Sequence, residues 1–352
     1  MILHVADTAV FIPSFIDLVN ENFDPDNHFF WLDGGGKEYS GNPYPNVYLA
    51  PRAWKARLAA YSRLCSRLHA ADKIILHGLF NWRIIILLSV FPWILKKCHW
   101  VIWGADLYVY QQKSKGLKYD FLNYFRRRVL KRVGYLLTYV SGDVELAREW
   151  FSARGVHQYC LMYLSNVYQP LPESKNIRPQ KSHINVMVGN SASPTNNHLE
   201  VFQIMSAFRE DRVRIFSPLA YGDMNYAKEV VALGHSVFGD RFEPMFDFMS
   251  IEKYRDFLST IDIAIFNHRR QQAMGNTIAL LGAGKTVFLR LHVSHGRMLS
   301  ALGLKLFDIS ELGVKLISEE QARNNIEIIK SVFSRDRLIA QWADIFEERC
   351  DH

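Results

Sequence analysis

Short apolar runs alternate with helix-length segments along most of the chain. In the first half, strands are predicted at residues 2–6, 29–32, 47–50, 73–77, 100–103, 136–140 and 160–164. Between these strands, helical spacing is found at residues 54–70, 81–90, 118–133 and 144–151. This alternation predicts a mostly parallel sheet covered by helices.

The pattern breaks at residues 166–182, where Pro170, Pro172 and Pro179 lie among polar residues, and we interpret this stretch as a linker. A second alternation follows, with strands predicted at residues 183–188, 213–216, 261–266 and 286–291. Its helices are predicted at residues 197–208, 226–233, 251–259, 277–281 and, at the end of the chain, 320–348.

These boundaries predict an N-terminal domain over residues 1–165 and a C-terminal domain over residues 183–330. A chain of 352 residues exceeds the roughly 250–300 at which single cores stop growing. We therefore expect an α/β protein of two Rossmann-like, doubly wound domains that face a central cleft. Residues 331–352 are expected to form a helix that packs back on the first domain. Ligands of such folds bind at the carboxyl ends of the strands.

Composition excludes several protein classes. Hydrophobic residues make up 49% of the chain, which argues against disorder. The four cysteines, Cys65, Cys98, Cys160 and Cys350, form no Cys-x-x-Cys pair, so neither a zinc site nor a disulfide framework is indicated.

The N-terminus lacks a signal-peptide pattern, and a cytoplasmic protein is expected. The longest apolar run, residues 84–95, is interrupted by Pro92 and too short to span a membrane. It is either a buried helix or a patch that rests on a bilayer.

The net charge of +7 is concentrated in one segment. A predicted helix carries Arg126, Arg127, Arg128, Lys131 and Arg132. Such a helix suits an anionic membrane surface, although an ordinary solvated face has the same residues. No nucleic-acid-binding motif accompanies it, so no nucleic acid partner is expected.

Residues 262–286 contain the strongest candidate for an anion site. A predicted strand ends at Phe266, the following loop contains Arg269 and Arg270, and a helix opens near Gly275, Asn276 and Thr277. The first N–H groups of a helix have no internal acceptor and lie at the positive end of its dipole. Two arginines beside such a helix start indicate a diphosphate site. A solvated arginine pair is the alternative.

Other strand ends carry polar or flexible residues. Gly189, Asn190 and Ser191 follow one strand, and Tyr221 follows the next, where it suits base stacking or hydrogen bonding. Residues 242–249 are expected to form a wall for a nucleobase. In the first half, His77 and Asp106 each follow a strand, and either one is a candidate general base.

Three short motifs do not fit their usual roles. Gly284-Lys285-Thr286 lacks the first glycine of a phosphate-binding loop, and Gly34-Gly35-Gly36 lacks the dinucleotide spacing. Asp24-Pro25-Asp26 has the Asp-x-Asp form but lies in an early turn. We therefore expect no catalytic metal.

Four segments carry a family resemblance over about residues 70–290. They are His77-Gly78-Leu79-Phe80-Asn81, residues 101–108 (Val-Ile-Trp-Gly-Ala-Asp-Leu-Tyr), residues 188–191 (Val-Gly-Asn-Ser) and residues 270–275 (Arg-Gln-Gln-Ala-Met-Gly). Together they resemble the TDP-N-acetylfucosamine:lipid II N-acetylfucosaminyltransferases, the 4-alpha-L-fucosyltransferases of glycosyltransferase family 56.

This resemblance implies a metal-independent glycosyltransferase of the GT-B type, with no cofactor. Its donor would be a dTDP-activated 4-acetamido-4,6-dideoxy-D-galactose, and its acceptor a polyprenyl-diphosphate-linked saccharide. The implied product belongs to enterobacterial common antigen or a related surface polysaccharide. The implied location is the cytoplasmic face of the bacterial inner membrane, as a peripheral protein.

Residue by residue, the resemblance implies a nucleotide-sugar site that includes Gly189, Asn190, Ser191, Tyr221, Arg270, Gln271, Gln272 and Gly275, to which the helix start adds Asn276 and Thr277. Asp106 and His77 would face the acceptor, and the basic helix at residues 126–132 would face the membrane and the lipid diphosphate. The alternatives are a nucleotide-sugar epimerase or hydrolase of the same fold, a transferase with another donor, and a non-catalytic membrane scaffold.

Overall fold

A computed structural model describes residues 1–9, 11–34, 44–111, 116–172, 183–208 and 212–347. The chain divides into two compact units. The first holds residues 1–165 and the segment that starts at residue 335, and the second holds residues 166–334.

The first unit is built on a seven-stranded parallel sheet with the order β3-β2-β1-β4-β5-β6-β7. Its strands are β1 (Ile2–Asp7), β2 (His28–Asp33), β3 (Val47–Leu49), β4 (Lys73–His77), β5 (Cys98–Val101), β6 (Tyr135–Leu137) and β7 (Val156–Gln158). The strand order reverses between β1 and β4. In register, β1 pairs Asp7 with Asp33 and Ala6 with His77, so these strand ends share one edge of the sheet.

Seven helices belong to the described part of the first unit. They are α1 (Ile12–Asn22), α2 (Trp54–Ala70), α3 (Trp82–Val90), α4 (Ala105–Tyr108), α5 (Leu117–Leu130), α6 (Ser141–Phe151) and, from the end of the chain, α13 (Arg335–Glu347). Polar caps begin some of them: the side chain of Asn81 accepts a hydrogen bond from the Arg83 amide at the start of α3.

The second unit is built on a six-stranded parallel sheet with the order β10-β9-β8-β11-β12-β13. Its strands are β8 (Ile184–Val188), β9 (Val213–Pro218), β10 (Phe242–Met245), β11 (Ile263–Phe266), β12 (Thr286–Leu289) and β13 (Phe307–Asp308). Its helices are α7 (His198–Met205), α8 (Met224–Phe238), α9 (Ile251–Thr260), α10 (Met274–Gly282), α11 (Ser294–Ala301) and α12 (Glu319–Val332). The predicted α/β class is confirmed, and in this sheet the order reverses between β8 and β11.

The prediction of a strand at residues 160–164 is wrong. The seventh strand is Val156–Gln158, and Leu164–Asn166 is a short 3-10 turn. The apolar run is nevertheless buried, because α13 covers it. The indole of Trp342 donates to the carbonyl oxygen of Met162 at 3.0 Å, and the Gln341 side chain accepts from the Leu161 amide at 2.8 Å.

The apolar run at residues 84–95 is divided between core and surface. Ile84, Ile85 and Leu88 of α3 are buried, whereas Val90 and Trp93 are 58% and 61% exposed. In the described ranges of the chain, every helix is too short or too polar to cross a membrane.

Candidate functional site

A pocket of about 340 Å³ lies in the second unit, beside residues that follow β8, β9, β10 and β11. This volume falls within the range of about 300–1,000 Å³ found for small-molecule sites. Its lining combines aromatic, apolar and polar side chains: Asn190, Pro218, Ala220, Tyr221, Met245, Asp247, Phe248, Met249, Ile251, Tyr254, Arg255, Ala273, Gly275 and Asn276. Four of the residues expected to bind the nucleotide sugar, Asn190, Tyr221, Gly275 and Asn276, therefore lie around one pocket.

One wall of the pocket is aromatic and apolar. Phe248 is 86% exposed, Ile251 75% and Tyr221 54%, although they line a concave surface. Aromatic faces that remain open to solvent beside a pocket suit stacking with a planar ring. The segment expected to form a nucleobase wall supplies Met245, Asp247, Phe248 and Met249 to this lining.

A chain of side-chain hydrogen bonds fixes the polar side of the pocket. The Thr195 hydroxyl donates to Oε1 of Gln272 at 2.8 Å, and Nε2 of Gln272 donates to Oδ1 of Asn190 at 3.1 Å. Nδ2 of Asn190 then donates to the Tyr221 hydroxyl at 3.2 Å. Gln272 therefore orients the Asn190 side chain, which in turn holds the Tyr221 hydroxyl. This chain of hydrogen bonds connects the loops that follow β8, β9 and β11.

The loop after β8 approaches its neighbours too closely for a side chain at its first position. Gly189 has φ +70°, and a Cβ there would lie 2.4 Å from Nε2 of His198. Oδ1 of Asn196 accepts from the Asn190 amide at 2.9 Å, and its Nδ2 donates to the carbonyl of Ser191 at 3.0 Å. Ser191 is 2% exposed. Gly189 and Ser191 therefore set the path of the loop, and contacts between them and a nucleotide stay predictions.

The first turn of helix α10 is part of the pocket lining. Its first residue is Met274, preceded by Ala273 in the left-handed region at φ 56°. Gly275 and Asn276 lie in the first turn, where backbone N–H groups lack acceptors within the helix. Thr277 has a different position. Its amide and its hydroxyl both donate to the Ala273 carbonyl, at 2.9 and 3.0 Å, so its side chain closes the first turn.

Two arginines precede α10 and differ in their surroundings. Arg269 is 72% exposed and lies 3.7 Å from a carboxylate oxygen of Glu200. Arg270 is half-buried, and its charge helps to lower the pKa of the buried His268 to about 3, after the larger effect of burial and that of His295. Among the described residues, Arg270, Gln271, Gln272, Gly189, Ser191 and Thr277 are outside the set that lines the pocket itself.

Asp106 is enclosed by donors in the first unit. Its Oδ2 accepts from the Leu79 amide at 3.0 Å and from the Trp100 indole at 2.7 Å. Its Oδ1 accepts from the amides of Trp103 and Leu107, at 3.0 and 3.1 Å. Burial raises the pKa of this carboxyl, and the hydrogen bonds from Trp100, Leu79 and Trp103 oppose that shift. Asp106 is 1% exposed, so its evident role is to hold together the loops after β4 and β5.

His77 belongs to a buried chain of three imidazoles. Its Nε2 lies 3.1 Å from Nδ1 of His4, whose Nε2 lies 3.0 Å from Nδ1 of His28. Nδ1 of His77 lies 2.7 Å from the Tyr163 hydroxyl. Burial lowers the pKa of His77 to about 3, so the ring is neutral near pH 7.

Asp7 was missed at the sequence level, and it lies at a position that suits a functional carboxylate. It ends β1, beside the reversal of strand order where such sheets bind ligands. Its Oδ1 accepts from Nδ2 of Asn81 at 3.2 Å. Burial raises its pKa, the hydrogen bond from Asn81 opposes this, and the nearby charge of Asp33 adds to the increase. The signal available in the sequence was an acidic residue directly after the first predicted strand, at residues 2–6.

Asp33 has stronger partners than Asp7. It accepts from Arg57 at 2.7 Å, Tyr61 at 2.6 Å and Asn81 at 2.7 Å. Burial would raise its pKa, but the hydrogen bonds from Tyr61 and Asn81 and the charge of Arg57 lower it. Of the two neighbouring carboxylates, Asp33 is thus the fixed anion and Asp7 the better proton acceptor.

The basic segment at residues 126–132 is mostly on the surface. Arg126 is half-buried and donates to the Leu79 carbonyl at 3.3 Å, and burial lowers its pKa. The remaining four, Arg127, Arg128, Lys131 and Arg132, are exposed.

In the part of the chain that the structure describes, no group of three or more His, Cys, Asp or Glu side chains has the arrangement of an ion site. Asp24 of the Asp-x-Asp motif instead caps a short 3-10 turn, where it accepts from the Asp26 amide and the Asn27 side chain.

Several solved structures have the same fold as this chain. The Anabaena protein HepE in complex with UDP and glucose has a TM-score of 0.67 at 13% identity, over 98% of this chain and 99% of that one. A Rickettsia africae glycosyltransferase has a TM-score of 0.67 at 12% identity, over 100% and 98%. A sucrose-phosphate synthase from Thermosynechococcus elongatus has 0.66 at 11%, over 98% of each chain. At these identities the likeness shows the fold, which is GT-B.

The sequence match is more specific than the fold. The family model described as 4-alpha-L-fucosyltransferase, glycosyl transferase group 56, matches residues 14–349, nearly the whole chain. The match includes the residues that line the 340 Å³ pocket of the second unit and the Asp106 and His77 loops of the first. The protein is a glycosyltransferase, and it belongs to the 4-alpha-L-fucosyltransferase family, glycosyl transferase group 56.

Proposed function

We propose that this enzyme transfers 4-acetamido-4,6-dideoxy-D-galactose from its dTDP-linked form to a polyprenyl-diphosphate-linked saccharide, without a catalytic metal. The product would belong to enterobacterial common antigen or a related surface polysaccharide. The observation that carries the proposal is the 340 Å³ pocket, because it combines an aromatic wall with the first turn of α10. The HepE structures contain UDP or UDP-glucose, which supports a nucleotide-sugar donor here.

In this proposal the nucleobase stacks against Tyr221 and Phe248, and the diphosphate lies toward the first turn of α10. When the bond between the anomeric carbon and the diphosphate oxygen breaks, the electron pair leaves with TDP. Negative charge then accumulates on the leaving group. The Arg270 guanidinium and the amides of Gly275 and Asn276 stabilise that charge, which is the largest contribution such a site makes to rate.

The acceptor hydroxyl forms the new bond to the anomeric carbon and loses its proton. We propose Asp7 as the group that takes this proton, because its carboxylate is half-buried and its pKa is raised toward the range of a useful base. Asp106 and His77 are then positioning residues. Asp106 holds the loops after β4 and β5, and His77 lies in the hydrogen-bonded imidazole chain.

The acceptor is proposed to be anchored in a membrane, with the enzyme peripheral on the cytoplasmic face of the bacterial inner membrane. The exposed cations of α5 and the turn after it, Arg127, Arg128, Lys131 and Arg132, support an anionic partner.

Thermal-shift measurement against TDP, UDP, GDP and CMP tests the donor. We expect TDP to give the largest increase in melting temperature, and a larger increase with another nucleotide would replace the dTDP donor. Incubation with dTDP-sugar alone then separates the reaction classes. A transferase leaves the donor intact without acceptor, whereas a hydrolase or epimerase consumes it.

A further inference from the structure

An apolar groove of about 660 Å³ lies between α2 and α3 on the first unit. Trp54, Leu58, Trp82 and Val90 line it, and we call it the tryptophan groove. It shares no lining residue with the donor pocket, and neither Asp7 nor Asp106 contributes to it.

The residues of the tryptophan groove are unusually exposed for apolar side chains. Trp54 is 68% exposed, Leu58 64%, Val90 58% and Trp82 47%, and the neighbouring Trp93 is 61% exposed. Single exposed apolar residues are ordinary on a protein surface, but a contiguous set around a groove indicates an interaction surface.

The segment that forms the tryptophan groove is strongly basic. Residues 52–105 contain nine Lys and Arg and a single acidic residue, Asp72. Asp72 pairs with the N-terminal amino group at 2.6 Å, and Arg57 of the groove pairs with Asp33 at 2.7 Å. Of the other basic residues in this segment, five are exposed, namely Arg52, Lys55, Arg63, Arg83 and Lys96. Arg52 and Arg83 line the groove.

Two of these cations lie over the tryptophan rings. The Arg83 guanidinium is 4.6 Å from the ring centre of Trp82, and the Lys55 ammonium is 5.6 Å from that of Trp54. Indole rings with basic groups beside them are typical of the boundary between lipid headgroups and acyl chains, where one end of the side chain is wet and the other is apolar.

We infer that the tryptophan groove is the surface that docks this protein on an anionic phospholipid bilayer. Leu58 and Val90 enter the acyl-chain region, the indoles of Trp54 and Trp82 lie at the headgroup level, and the cations contact lipid phosphates. A second copy of the chain fits less well, because two surfaces of the same positive sign repel each other. The inference rests on the membrane partner in the proposed function and gives it a specific surface.

Binding to vesicles tests this inference directly. The wild-type protein is mixed with vesicles of phosphatidylcholine, with and without phosphatidylglycerol, and sedimented. We expect binding only to the anionic vesicles. The Trp54→Ser/Leu58→Ser/Trp82→Ser variant replaces exposed residues, so it should fold, and it should lose about tenfold or more in vesicle affinity. The control Val156→Ser/Leu316→Ser replaces residues that are 59% and 48% exposed elsewhere, and it should bind like wild type.

Separate measurements test the contribution of the basic residues and the insertion of the tryptophan side chains into the bilayer. Arg83→Glu should weaken binding to anionic vesicles by roughly fivefold or more, whereas Lys228→Glu on α8 should not. Brominated phosphatidylglycerol should quench tryptophan fluorescence in the wild type and less in the triple variant. Three results would each overturn the inference. The first is an unchanged vesicle affinity in the triple variant, and the second is equal binding of the wild type to neutral and anionic vesicles. The third is a wild-type dimer that becomes a monomer in the triple variant.

Donor binding separates this result from the proposed function. The triple variant should keep the wild-type thermal shift with TDP. If the wild type binds vesicles through these residues but gives no shift with TDP, the proposed donor fails and the bilayer surface stands. If the wild type binds TDP but does not bind vesicles, the proposed donor stands and the bilayer surface fails.

Discussion

The side-chain amide of Asn276 donates a hydrogen bond to the Tyr254 hydroxyl at 2.9 Å. Asn276 lies in the first turn of α10 and Tyr254 on α9, and both line the 340 Å³ pocket that we propose binds the donor. This bond therefore joins the proposed diphosphate end of the pocket to its aromatic wall.

The Tyr254→Phe variant removes the hydroxyl and keeps the ring. Because one neutral hydrogen bond contributes about 0.5–1.5 kcal/mol, we expect a roughly two- to tenfold weaker TDP affinity by calorimetry. Stability to urea should fall little. An affinity equal to that of the wild type would show that the orientation of Asn276 does not matter for the nucleotide.

We expect substitution by Asn to reduce stability at Asp106 and transfer activity at Asp7. Asp106→Asn places an amide NH₂ against backbone and indole N–H donors, so the free energy of unfolding should fall by about 1–3 kcal/mol. Asp7→Asn should keep its stability, because its side chain is half-buried, and it should lose transfer while it still binds TDP.

Urea unfolding and a transfer assay on both variants decide between the two carboxylates. If the Asp106→Asn protein is stable but inactive and the Asp7→Asn protein is active, Asp106 is the general base and Asp7 is not. The thermal shift with TDP serves as the common control, since both residues lie in the first unit and the donor pocket lies in the second.

Gly189→Ala tests the close approach at the end of β8. Its added Cβ would lie 2.4 Å from Nε2 of His198, on a backbone with φ +70°. Gly303→Ala is the control, since its φ is +84° and the nearest atom to its Cβ position, on Ile328, lies at an ordinary contact distance of 3.6 Å. A backbone with positive φ costs a side chain about 1–2 kcal/mol in either variant, so any larger loss of stability or of TDP affinity at position 189 reports the steric contact. Equal effects in the two variants would argue against it.

Buried neutral histidines predict acid sensitivity. Burial lowers the pKa of His28 from 6.5 to about 4, and also lowers those of His4 and His77. Below pH 6.5 the unfolded chain therefore binds more protons than the folded protein. The contribution of these histidines to the free energy of unfolding is fully present above that pH and decreases as the pH falls toward 4. For His28 alone the loss between pH 7 and pH 5 is about 2 kcal/mol.

Urea unfolding at pH 7 and pH 5 measures this dependence. His28→Gln should show a smaller difference between the two pH values than the wild type. The exposed His69, changed to Gln, is the control and should leave the difference unchanged. A wild-type stability that does not change over this interval would contradict the neutral imidazole chain.

Part of the pocket lining could be predicted from the sequence, for a topological reason. Asn190, Tyr221 and Gly275 follow three different strands, and the carboxyl ends of parallel strands share one edge of a sheet. Tyr254 was not accessible, because it lies within α9, where an aromatic residue is as consistent with a core position as with a pocket.

The wrong prediction of a strand at residues 160–164 shows what a local pattern cannot detect. Residues 160–164 are apolar because α13 covers them, and a local pattern cannot distinguish that burial from strand pairing. Asp106 has the position of a base, but the amides that enclose it come from two separate loops. Long-range partners, which the chain folds into place, determine whether a carboxylate is available to a substrate.

Calorimetric titration of TDP into three proteins tests the central claim most directly, that the second unit holds the leaving diphosphate with Arg270 and the start of α10. We expect the wild type to bind, Arg270→Ala to lose at least about tenfold in affinity, as for a charged hydrogen bond, and Arg269→Ala to remain close to wild type. Wild-type affinity in the Arg270→Ala protein, or no TDP binding by the wild type, would contradict the account.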